Sequence, residues 1–308
     1  MFGRGGSAGL VGLGRCYVRY VPWTVGKPAL TAAVLNPRLR VQPRRRVVRL
    51  RDGSRFGVDT RDLIQRYLYL FGAWEPHMTR WLRGRLRVGD TFVDVGANIG
   101  YYSVLASRLV GDGGRVVAVE ASPAFHERLV QHVRLNRCEN VRAVNGAVSD
   151  ARKTLTFVLA SSANMGANSI VPYDGPAESS FDMEAAPLAE LLTDAEISTA
   201  RVIKIDVEGA EGSAVRGLAP LLGRLRPECE ITVEVTPDRM AQLGDSVDEL
   251  MSTMREHGYH AYRLANDYAP ASYPAAVRGA AVPPARLREP VTGESDLIFS
   301  RIDAETLS

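Results

Sequence analysis

The pattern of apolar residues becomes regular near residue 86 of this 308-residue chain. From there, short apolar runs predict strands, and longer runs with apolar residues at helical spacing predict helices. The predicted strands are residues 91–95, 115–119, 141–148, 154–159, 202–207, 230–235, 260–264 and 296–299. The predicted helices are residues 100–109, 124–135, 188–192, 210–222 and 247–257. This alternation is typical of βαβ units with right-handed crossovers, and it predicts an α/β fold with a mostly parallel sheet.

The pattern ahead of residue 86 is different. Residues 1–45 are rich in Gly, Arg and Pro and lack a sustained apolar period. After them we predict a hairpin over residues 47–59. Residues 61–86 are then predicted to be helical, with a break at Gly72 and Pro76. The chain is therefore predicted to consist of an N-terminal extension, residues 1–85, and an α/β domain, residues 86–308.

Two segments of the predicted domain look irregular, residues 160–186 and residues 265–294. Both are rich in Ala, Ser, Pro, Gly and Asn, and both follow predicted strands. Loops of this length inside a domain are usually either functional or disordered. Because both follow strands, we expect them to lie over the carboxyl edge of the sheet, where ligands bind in open α/β folds.

The positive charge is almost entirely arginine, since only three of the 38 Lys and Arg residues are lysines. Eight arginines lie between residues 38 and 55. One interpretation is a patch for nucleic acid or a membrane surface. The other is the solvated face of the predicted hairpin, with Val48 and Leu50 pointing inward, and the hairpin pattern favours it.

Cysteine content and hydropathy narrow the class of protein. The three cysteines are widely spaced and form no CxxC pair, so neither a disulfide framework nor a metal site is expected. No apolar run approaches the roughly 18 residues of a transmembrane helix. The short apolar run near the N-terminus is broken by Gly12, Gly14 and Arg15, and no cleavage site follows it. We therefore expect a cytoplasmic protein.

The most informative stretch is the turn between the first predicted strand of the domain and its helix. Asp94 ends the strand, and Gly96 and Gly100 allow the chain to turn sharply and a ligand to approach. The helix that follows offers free N–H groups. Glu120 lies twenty residues further on, at the end of the next strand, where a carboxylate can accept hydrogen bonds from the two hydroxyls of a ribose. Together these residues indicate a ligand that contains adenosine.

The spacing of this turn distinguishes between nucleotide ligands. A dinucleotide fingerprint is G-x-G-x-x-G, whereas this chain has Asn98 at the second glycine and its last glycine one position early. The form D-x-G-x-N-x-G instead resembles the first motif of class I methyltransferases. That resemblance implies that Gly96, Ala97, Asn98 and Gly100 hold the methionine end of S-adenosylmethionine, with Asp94 as a polar anchor.

Further blocks narrow the resemblance. Five blocks of the sequence are similar to blocks of the FkbM family of methyltransferases. They are the lead-in RYLYLFGAWEP (66–76), DVGANIGYYS (94–103), VEASP (119–123), NGAVSD (145–150) and IKIDVEGAE (203–211). The resemblance runs from about residue 59 to the last strand. One departure is Ala189, where the family commonly has Asp, so no role is carried over to that position.

This family resemblance implies a Rossmann-like class I methyltransferase sheet whose last strand is antiparallel. It also implies transfer of a methyl group from S-adenosylmethionine to a hydroxyl of a natural product, sugar or lipid-linked glycan. The partner expected is thus a small molecule or a glycan, and no nucleic acid. In NGAVSD, the loop after the third strand of the domain is positioned to contact the adenine, through the backbone of Ala147 and Val148 or through Asp150.

Three carboxylates follow the strand of residues 202–207. Asp206 ends the strand, next to the expected position of the sulfonium, and Glu208 and Glu211 follow. One of them is a candidate general base; the alternative is that Asp206 anchors the turn and the two glutamates cap the next helix. The histidines are further candidates, namely His77, which with Glu75 lies in the lead-in, and His257 and His260, whose place near a distant strand favours a structural role. The aromatic residues Tyr67, Tyr69 and Trp74 are either a stacking surface or core.

Three other functions remain open. A methyltransferase acting on a nitrogen would commonly have an Asn-Pro-Pro-Tyr-like block where this chain has Asp206-Val207-Glu208-Gly209, which disfavours it. A scaffold protein that binds the cofactor without turnover is compatible with the same motifs. A nicotinamide-dependent oxidoreductase is disfavoured by Asn98.

Overall fold

Strands and helices alternate along most of the chain in this computed structural model, which describes residues 4–159, 168–169 and 179–307. The strands are β1 (Arg45–Arg49), β2 (Arg55–Asp59), β3 (Thr91–Val95), β4 (Arg115–Glu120), β5 (Val141–Asn145), β6 (Ala147–Val148), β7 (Lys153–Leu159), β8 (Asn168–Ser169), β9 (Ser179–Ala186), β10 (Ala200–Ile205), β11 (Glu230–Val235), β12 (His260–Leu264), β13 (Ala285–Arg286) and β14 (Ser295–Ser300).

The helices come in two groups. Before β3 they are α1 (Arg4–Tyr20), α2 (Lys27–Ala29), α3 (Asn36–Val41), α4 (Leu63–Phe71) and α5 (Pro76–Arg85), with a π-helical segment, Leu30–Leu35, between α2 and α3. After β3 they are α6 (Tyr101–Val110), α7 (Pro123–Leu135), α8 (Leu188–Leu191), α9 (Asp194–Thr199), α10 (Glu211–Leu222), α11 (Pro237–Gln242), α12 (Val247–Glu256) and α13 (Tyr273–Ala276). No helix of the described residues is both long and apolar enough to span a membrane.

Eight strands form one sheet in the spatial order β13-β12-β14-β11-β10-β3-β4-β5. The neighbours from β11 to β5 pair in parallel, whereas β14 is antiparallel to both β11 and β12. This confirms the predicted Rossmann-like α/β fold with an antiparallel last strand. The chain runs outward from β3 to β5 and then crosses to β10 on the other side of β3. The strand order therefore reverses between β3 and β10, which is where open α/β sheets bind ligands.

The central strands are buried because their sequences are apolar on both faces. All five residues of β3 are buried, as are five of the six in β4 and in β10. Parallel strands covered by helices on both sides require such continuous apolar runs. In the register, Val95 lies beside Val119 on one side and Ile205 on the other, so the three strands end at the same edge.

A second sheet has the order β6-β9-β7-β8. It corrects the prediction of one strand over residues 141–148, because the chain leaves the large sheet at Gly146, whose N–H donates to the carbonyl of Glu120 over 3.1 Å. Ala147 and Val148 then pair in parallel with β9. The two residues after Gly146 thus belong to a different sheet from the five before it.

The prediction that residues 160–186 are irregular is wrong for β8 and β9. Strand β9 pairs antiparallel with β7, and the rings of Phe157 and Phe181 stack with their centroids 5.2 Å apart. Phe181, Met183 and Ala185 alternate with exposed polar residues, which is the period of a half-buried strand. Composition had concealed this period. The rest of that segment lies outside the described residues. In residues 265–294, α13 and β13 are the elements of the structure.

The chain divides into two units, which we call the N-terminal unit (described residues 4–79 and 266–281) and the sheet unit (all other described residues). The division at residue 86 stays a prediction. In the N-terminal unit, the sequence analysis found no sustained apolar period in residues 1–45 and predicted no element there. The structure has α1, α2, the π-helical segment and α3 over most of them. Val11 and Val18, one heptad apart on α1, are buried, as are Leu35 and Leu39. Glycine and proline had hidden a helical period that packing stabilises.

The predicted hairpin and helix break are confirmed. Strands β1 and β2 pair antiparallel, with Val48 and Leu50 buried. Helix α4 ends at Gly72, which has a left-handed φ of 73°, and α5 begins with Pro76. These are the residues that end and start helices for steric reasons.

Aromatic side chains form the core of the N-terminal unit. Tyr67, Tyr69 and Trp74 are all buried, and the ring of Tyr67 lies 4.5 Å from that of Tyr273. The hydroxyl of Tyr67 donates to the carbonyl of Tyr268 over 2.6 Å. Of the two roles considered for these aromatic residues, the contacts are those of a core.

Candidate functional site

The turn after β3 packs tightly against the end of β10. Gly96 has a φ of +82°, and a Cβ placed on it would lie 1.7 Å from the carbonyl oxygen of Asp206. The N–H of Asp206 donates to the carbonyl of Val95 over 3.0 Å. Glycine is thus required at position 96 both by the backbone angle and by the close approach of a second main chain.

Gly100 is required for a similar reason. Its φ is +82°, and a Cβ there would lie 2.4 Å from Cδ1 of Leu129 in α7. Helix α6 starts at the next residue and can pack closely on α7 because this side chain is absent. At both glycines, therefore, the space left by the missing Cβ is filled by the protein itself.

Glu120 is the central carboxylate of this edge. It ends β4, is only 7% exposed, and each of its oxygens accepts a main-chain N–H, from Asn98 over 2.7 Å and from Ser122 over 2.8 Å. Burial raises the pKa of Glu120 to about 7, although both amides stabilise the charged form. A carboxylate oxygen has two lone pairs, so each still has one available for a further donor.

The residues between the two glycines hold Glu120 in this position. Asn98 has a left-handed φ of 51°, its N–H donates to Glu120, and its Oδ1 accepts the N–H of Ile99 over 2.8 Å. The N–H groups of Gly96 and Ala97 both donate to the carbonyl of Val119. The turn after β3 is thereby bonded to the end of β4, and the two loops form one support.

Asp94 lies beneath the turn and is 1% exposed. Its Oδ2 accepts the hydroxyl of Ser103 over 2.5 Å. Burial raises the pKa of Asp94, while the positive charge of Lys204 acts in the opposite direction. The polar anchor predicted from the sequence is therefore a buried carboxylate with a hydroxyl donor and a nearby cation.

Lys204 is a residue of this site that the sequence analysis did not identify. Its side chain is 3% exposed, its Nζ lies 2.7 Å from Oδ2 of Asp206, and it also lies 5.2 Å from the ring centroid of Tyr102. A lysine inside the apolar run of β10, in a chain with only three lysines, was the available signal. It supplies positive charge among the carboxylates of the edge.

The three candidate catalytic carboxylates have different surroundings. Asp206 is 26% exposed and pairs with Lys204. Glu208 has a left-handed φ of 55° and forms an ion pair with Arg239 of α11. Glu211 is fully buried; its Oε1 accepts the N–H of Gly209 over 2.8 Å.

Burial raises the pKa of Glu211 to about 7. The negative charge of Asp206 also raises the pKa values of Asp94, Glu120 and Glu211, so these three carboxylates lie within electrostatic reach of Asp206. Glu208 instead turns to Arg239. Arg239 was also missed from the sequence, because a loop ion pair leaves no periodic pattern.

The predicted adenine-side residues, Ala147 and Val148, are buried in β6, 6% and 4% exposed. Their strand leaves the large sheet where Gly146 bonds to Glu120, so they follow the carboxyl edge directly. Asp150 instead forms ion pairs with Lys153 and Arg216.

The histidines lie elsewhere. Nδ1 of His257 bonds to the carbonyl of Thr253. Nδ1 of His260, in β12, lies beside the guanidinium of Arg286 in β13. His77 and Glu75 belong to the N-terminal unit, where the hydroxyl of Tyr268 donates to Glu75 over 2.8 Å. Across the described residues, no three His, Cys, Asp or Glu side chains are grouped so that they could hold a metal ion.

Comparison with known proteins identifies a family. A sequence model described as the methyltransferase FkbM domain matches residues 94–261, which is more than half of the chain. The match begins at Asp94 and contains the turn, Glu120 and the three carboxylates after β10. No curated protein matches the chain.

Solved structures include a methyltransferase FkbM from Methylobacillus flagellatus KT, 13% identical, with a TM-score of 0.43, covering 89% of this chain and 60% of that one. A precorrin-6y C5,15-methyltransferase from Geobacter metallireducens GS-15 is 15% identical, with a TM-score of 0.39, covering 73% of this chain and 85% of that one. The fold assignment depends on the strand order described above and not on these scores.

Proposed function

Because the chain belongs to the FkbM family of methyltransferases, we propose that it transfers the methyl group of S-adenosylmethionine to a hydroxyl oxygen of a small molecule, natural product or glycan. The observation that carries this proposal is the position of Glu120. It is a buried carboxylate at the carboxyl end of β4, beside the point where the strand order reverses, and main-chain amides fix both of its oxygens. The remaining lone pair on each oxygen suits one of the two ribose hydroxyls.

The residues of the edge fit the rest of this cofactor. Asp94 and Asp206 favour the positively charged amine and sulfonium, since opposite charges attract strongly where water is excluded. The turn of Gly96, Ala97, Asn98 and Gly100 would hold the methionine end. On the adenine side we propose main-chain contacts at Ala147 and Val148.

When bound, S-adenosylmethionine supplies an electrophilic methyl group, and transfer is a direct displacement at that carbon. The task of the protein is then to align the acceptor, to exclude water and to accept the hydroxyl proton. Among the three candidate catalytic carboxylates, we propose Asp206 as the base, because it directly follows β10 at the carboxyl edge and is 26% exposed. Glu211 is fully buried, and Glu208 pairs with Arg239 of α11.

Glu208 and Glu211 act through the loop in this mechanism. The ion pair of Glu208 with Arg239 and the hydrogen bond from the Gly209 N–H to Glu211 fix the segment that follows Asp206. They are positioning residues, through contacts other than the helix capping considered for them from the sequence.

The first test is isothermal titration calorimetry with S-adenosylmethionine, S-adenosylhomocysteine and NAD. We expect both sulfur compounds to bind and NAD not to bind. Glu120→Ala should weaken binding of S-adenosylhomocysteine by about 1–3 kcal/mol, because the hydrogen bonds to the ribose are lost. Glu127→Ala, an exposed glutamate of α7 in the same unit, is the matched control. Tight NAD binding, or unchanged affinity in Glu120→Ala, would contradict the proposal.

The second test identifies the atom that is methylated. Radiolabelled methyl from S-adenosylmethionine is transferred in a cell extract of the source organism, and the labelled product is analysed by mass spectrometry and NMR. A methyl ether supports the proposal, whereas a methyl ester would identify a carboxylate as the acceptor. A methylated nitrogen would place the protein among the amine methyltransferases, and cofactor binding without turnover in any fraction would favour the scaffold alternative.

A further inference from the structure

Exposed apolar side chains are concentrated at the start of the chain. The described residues expose eleven large apolar side chains, and eight of them lie between residues 10 and 47. Isolated exposed apolar residues are normal, but a contiguous group marks a binding surface. This concentration of exposed apolar side chains indicates a candidate binding surface on the N-terminal unit.

Helix α1 carries the first part of this surface. Leu10, Leu13 and Tyr20 are between 65% and 71% exposed, and their spacing of three and seven residues places them on one face of the helix. Val11 and Val18 lie on the opposite face and are buried. The buried face accounts for the packing of α1 and leaves the exposed face unused by the fold.

The loop after α1 extends the same surface. Trp23 is 71% exposed and Val25 is 81% exposed. The hydroxyl of Tyr17 donates to the carbonyl of Val25, and Nζ of Lys27 donates to the carbonyl of Val18 over 3.2 Å. These bonds hold the loop against the end of α1. We call Leu10, Leu13, Tyr20, Trp23 and Val25 together the apolar stripe.

The sequence segment that carries the stripe contains positive charges and no negative ones. The first 51 residues contain eleven Lys and Arg residues and no Asp or Glu, whereas the remaining 257 residues contain 27 basic and 35 acidic ones. The guanidinium of Arg15 lies 4.5 Å from the ring centroid of Tyr69, and that of Arg46 lies 6.0 Å from it. Arg15 lies five residues after Leu10 and therefore on the face of α1 opposite the stripe. Because Arg46 of β1 lies near the same ring, the hairpin cations are on that side of the helix.

We propose that the N-terminal unit binds the surface of an anionic lipid bilayer, with the apolar stripe inserted among the acyl chains and the arginines facing the headgroups. Exposed leucine, tyrosine and tryptophan side chains in a segment whose charged residues are basic have the composition of interfacial helices. A symmetric contact with a second copy through this same surface would bring cations against cations, which is repulsive. Duplex nucleic acid would neutralise the arginines but leave the leucines exposed. This inference does not depend on the methyltransferase proposal.

The test is co-sedimentation of the full chain with lipid vesicles. We expect binding to vesicles of phosphatidylcholine and phosphatidylglycerol in equal parts, weaker binding at high salt, and little binding to phosphatidylcholine alone. The double substitution Leu13→Glu with Trp23→Glu should weaken partitioning by at least about tenfold, because two apolar side chains are lost from the interface.

The control is Val88→Glu with Ile302→Glu. These two side chains of the sheet unit are 79% and 57% exposed, and the double substitution changes the net charge by the same amount. It should leave binding unchanged, and circular dichroism should show both variants folded. The proposal is overturned if the full chain does not sediment with anionic vesicles or if both double variants behave alike. It is equally overturned if the stripe substitutions abolish a dimer or nucleic-acid binding instead of vesicle binding.

Discussion

Each unit of the chain contains a pair of buried charged side chains that the main chain stabilises, acidic in the sheet unit and basic in the N-terminal unit. In the sheet unit, Glu120 and Glu211 are buried and accept hydrogen bonds from main-chain N–H groups. In the N-terminal unit, Arg19 and Lys27 are buried and donate to main-chain carbonyls. None of the four forms an ion pair with another described side chain.

This contrast bears on which ligand each unit can attract. Main-chain dipoles stabilise a buried charge without neutralising it, so its field still reaches a ligand. Burial raises the pKa values of Glu120 and Glu211 and lowers those of Arg19 and Lys27. These charges agree in sign with the two proposals, a cationic cofactor for the sheet unit and an anionic surface for the N-terminal unit.

We expect the largest effect on the free energy of unfolding from a substitution that disrupts the close main-chain approach at Gly96 in the sheet unit. In Gly96→Ala, the new Cβ would meet the carbonyl oxygen of Asp206 at 1.7 Å in a left-handed conformation. We expect the free energy of unfolding to fall by at least about 3 kcal/mol, because the turn and the end of β10 must separate. Urea denaturation measures this change.

Gly113→Ala is the matched control, since a Cβ at that position meets nothing within 4 Å. It should change the free energy of unfolding by less than about 0.5 kcal/mol. Equal midpoints for the two variants would mean that the close approach at Gly96 is absent in solution.

The next effect tests whether Glu211 is a buried charge with a stability cost. Its pKa of about 7 is above the ordinary 4.5, so the folded state binds a proton more tightly than the unfolded state. The contribution of Glu211 to stability is therefore greatest at acidic pH and declines as the pH rises from about 4.5 to about 7. Glu211→Gln removes this decline, and a glutamine can still accept from Gly209.

We expect Glu211→Gln to be more stable than the unmodified chain by about 1–3 kcal/mol at about pH 8, with a smaller difference at about pH 5. Urea denaturation at both pH values gives the two differences. A variant that is less stable at the higher pH would show that the charge itself is required by the turn. In that case the comparison between the two units would fail for this residue.

The sequence predicted the parts of the molecule in which apolar period and backbone geometry coincide. The parallel strands are long apolar runs, and Gly96 and Gly100 are required by the backbone itself, so the edge of the sheet could be located in advance. Glu120 followed from its distance along the chain. The carboxyl edge of these strands could therefore be predicted as the candidate ligand site before any contact was known.

The remaining features depend on partners that are distant in sequence. Strand β9 exists because β7 pairs with it, and the ion pair of Glu208 with Arg239 joins residues 31 apart. Helix α1 is rich in glycine and forms because its valine face is buried. In β9 and α1, packing overrode local propensity, which is why the composition of these two segments did not reveal them.

The smallest effect concerns the pH dependence of ligand affinity at the proposed cofactor site, where Glu120 is the buried acid. With a pKa of about 7, Glu120 exchanges its proton near neutral pH in the free protein. Two hydrogen bonds from ribose hydroxyls require the ionised form, so affinity for S-adenosylhomocysteine should be constant above that pKa. Below it, affinity should fall by about tenfold per pH unit, or about 1.4 kcal/mol, since only the ionised fraction binds. Calorimetry across this range measures the profile. Glu211→Gln should keep the same profile, whereas Glu120→Gln should flatten it; a profile that is flat in the unmodified chain would mean that Glu120 binds the ligand in its protonated form or not at all.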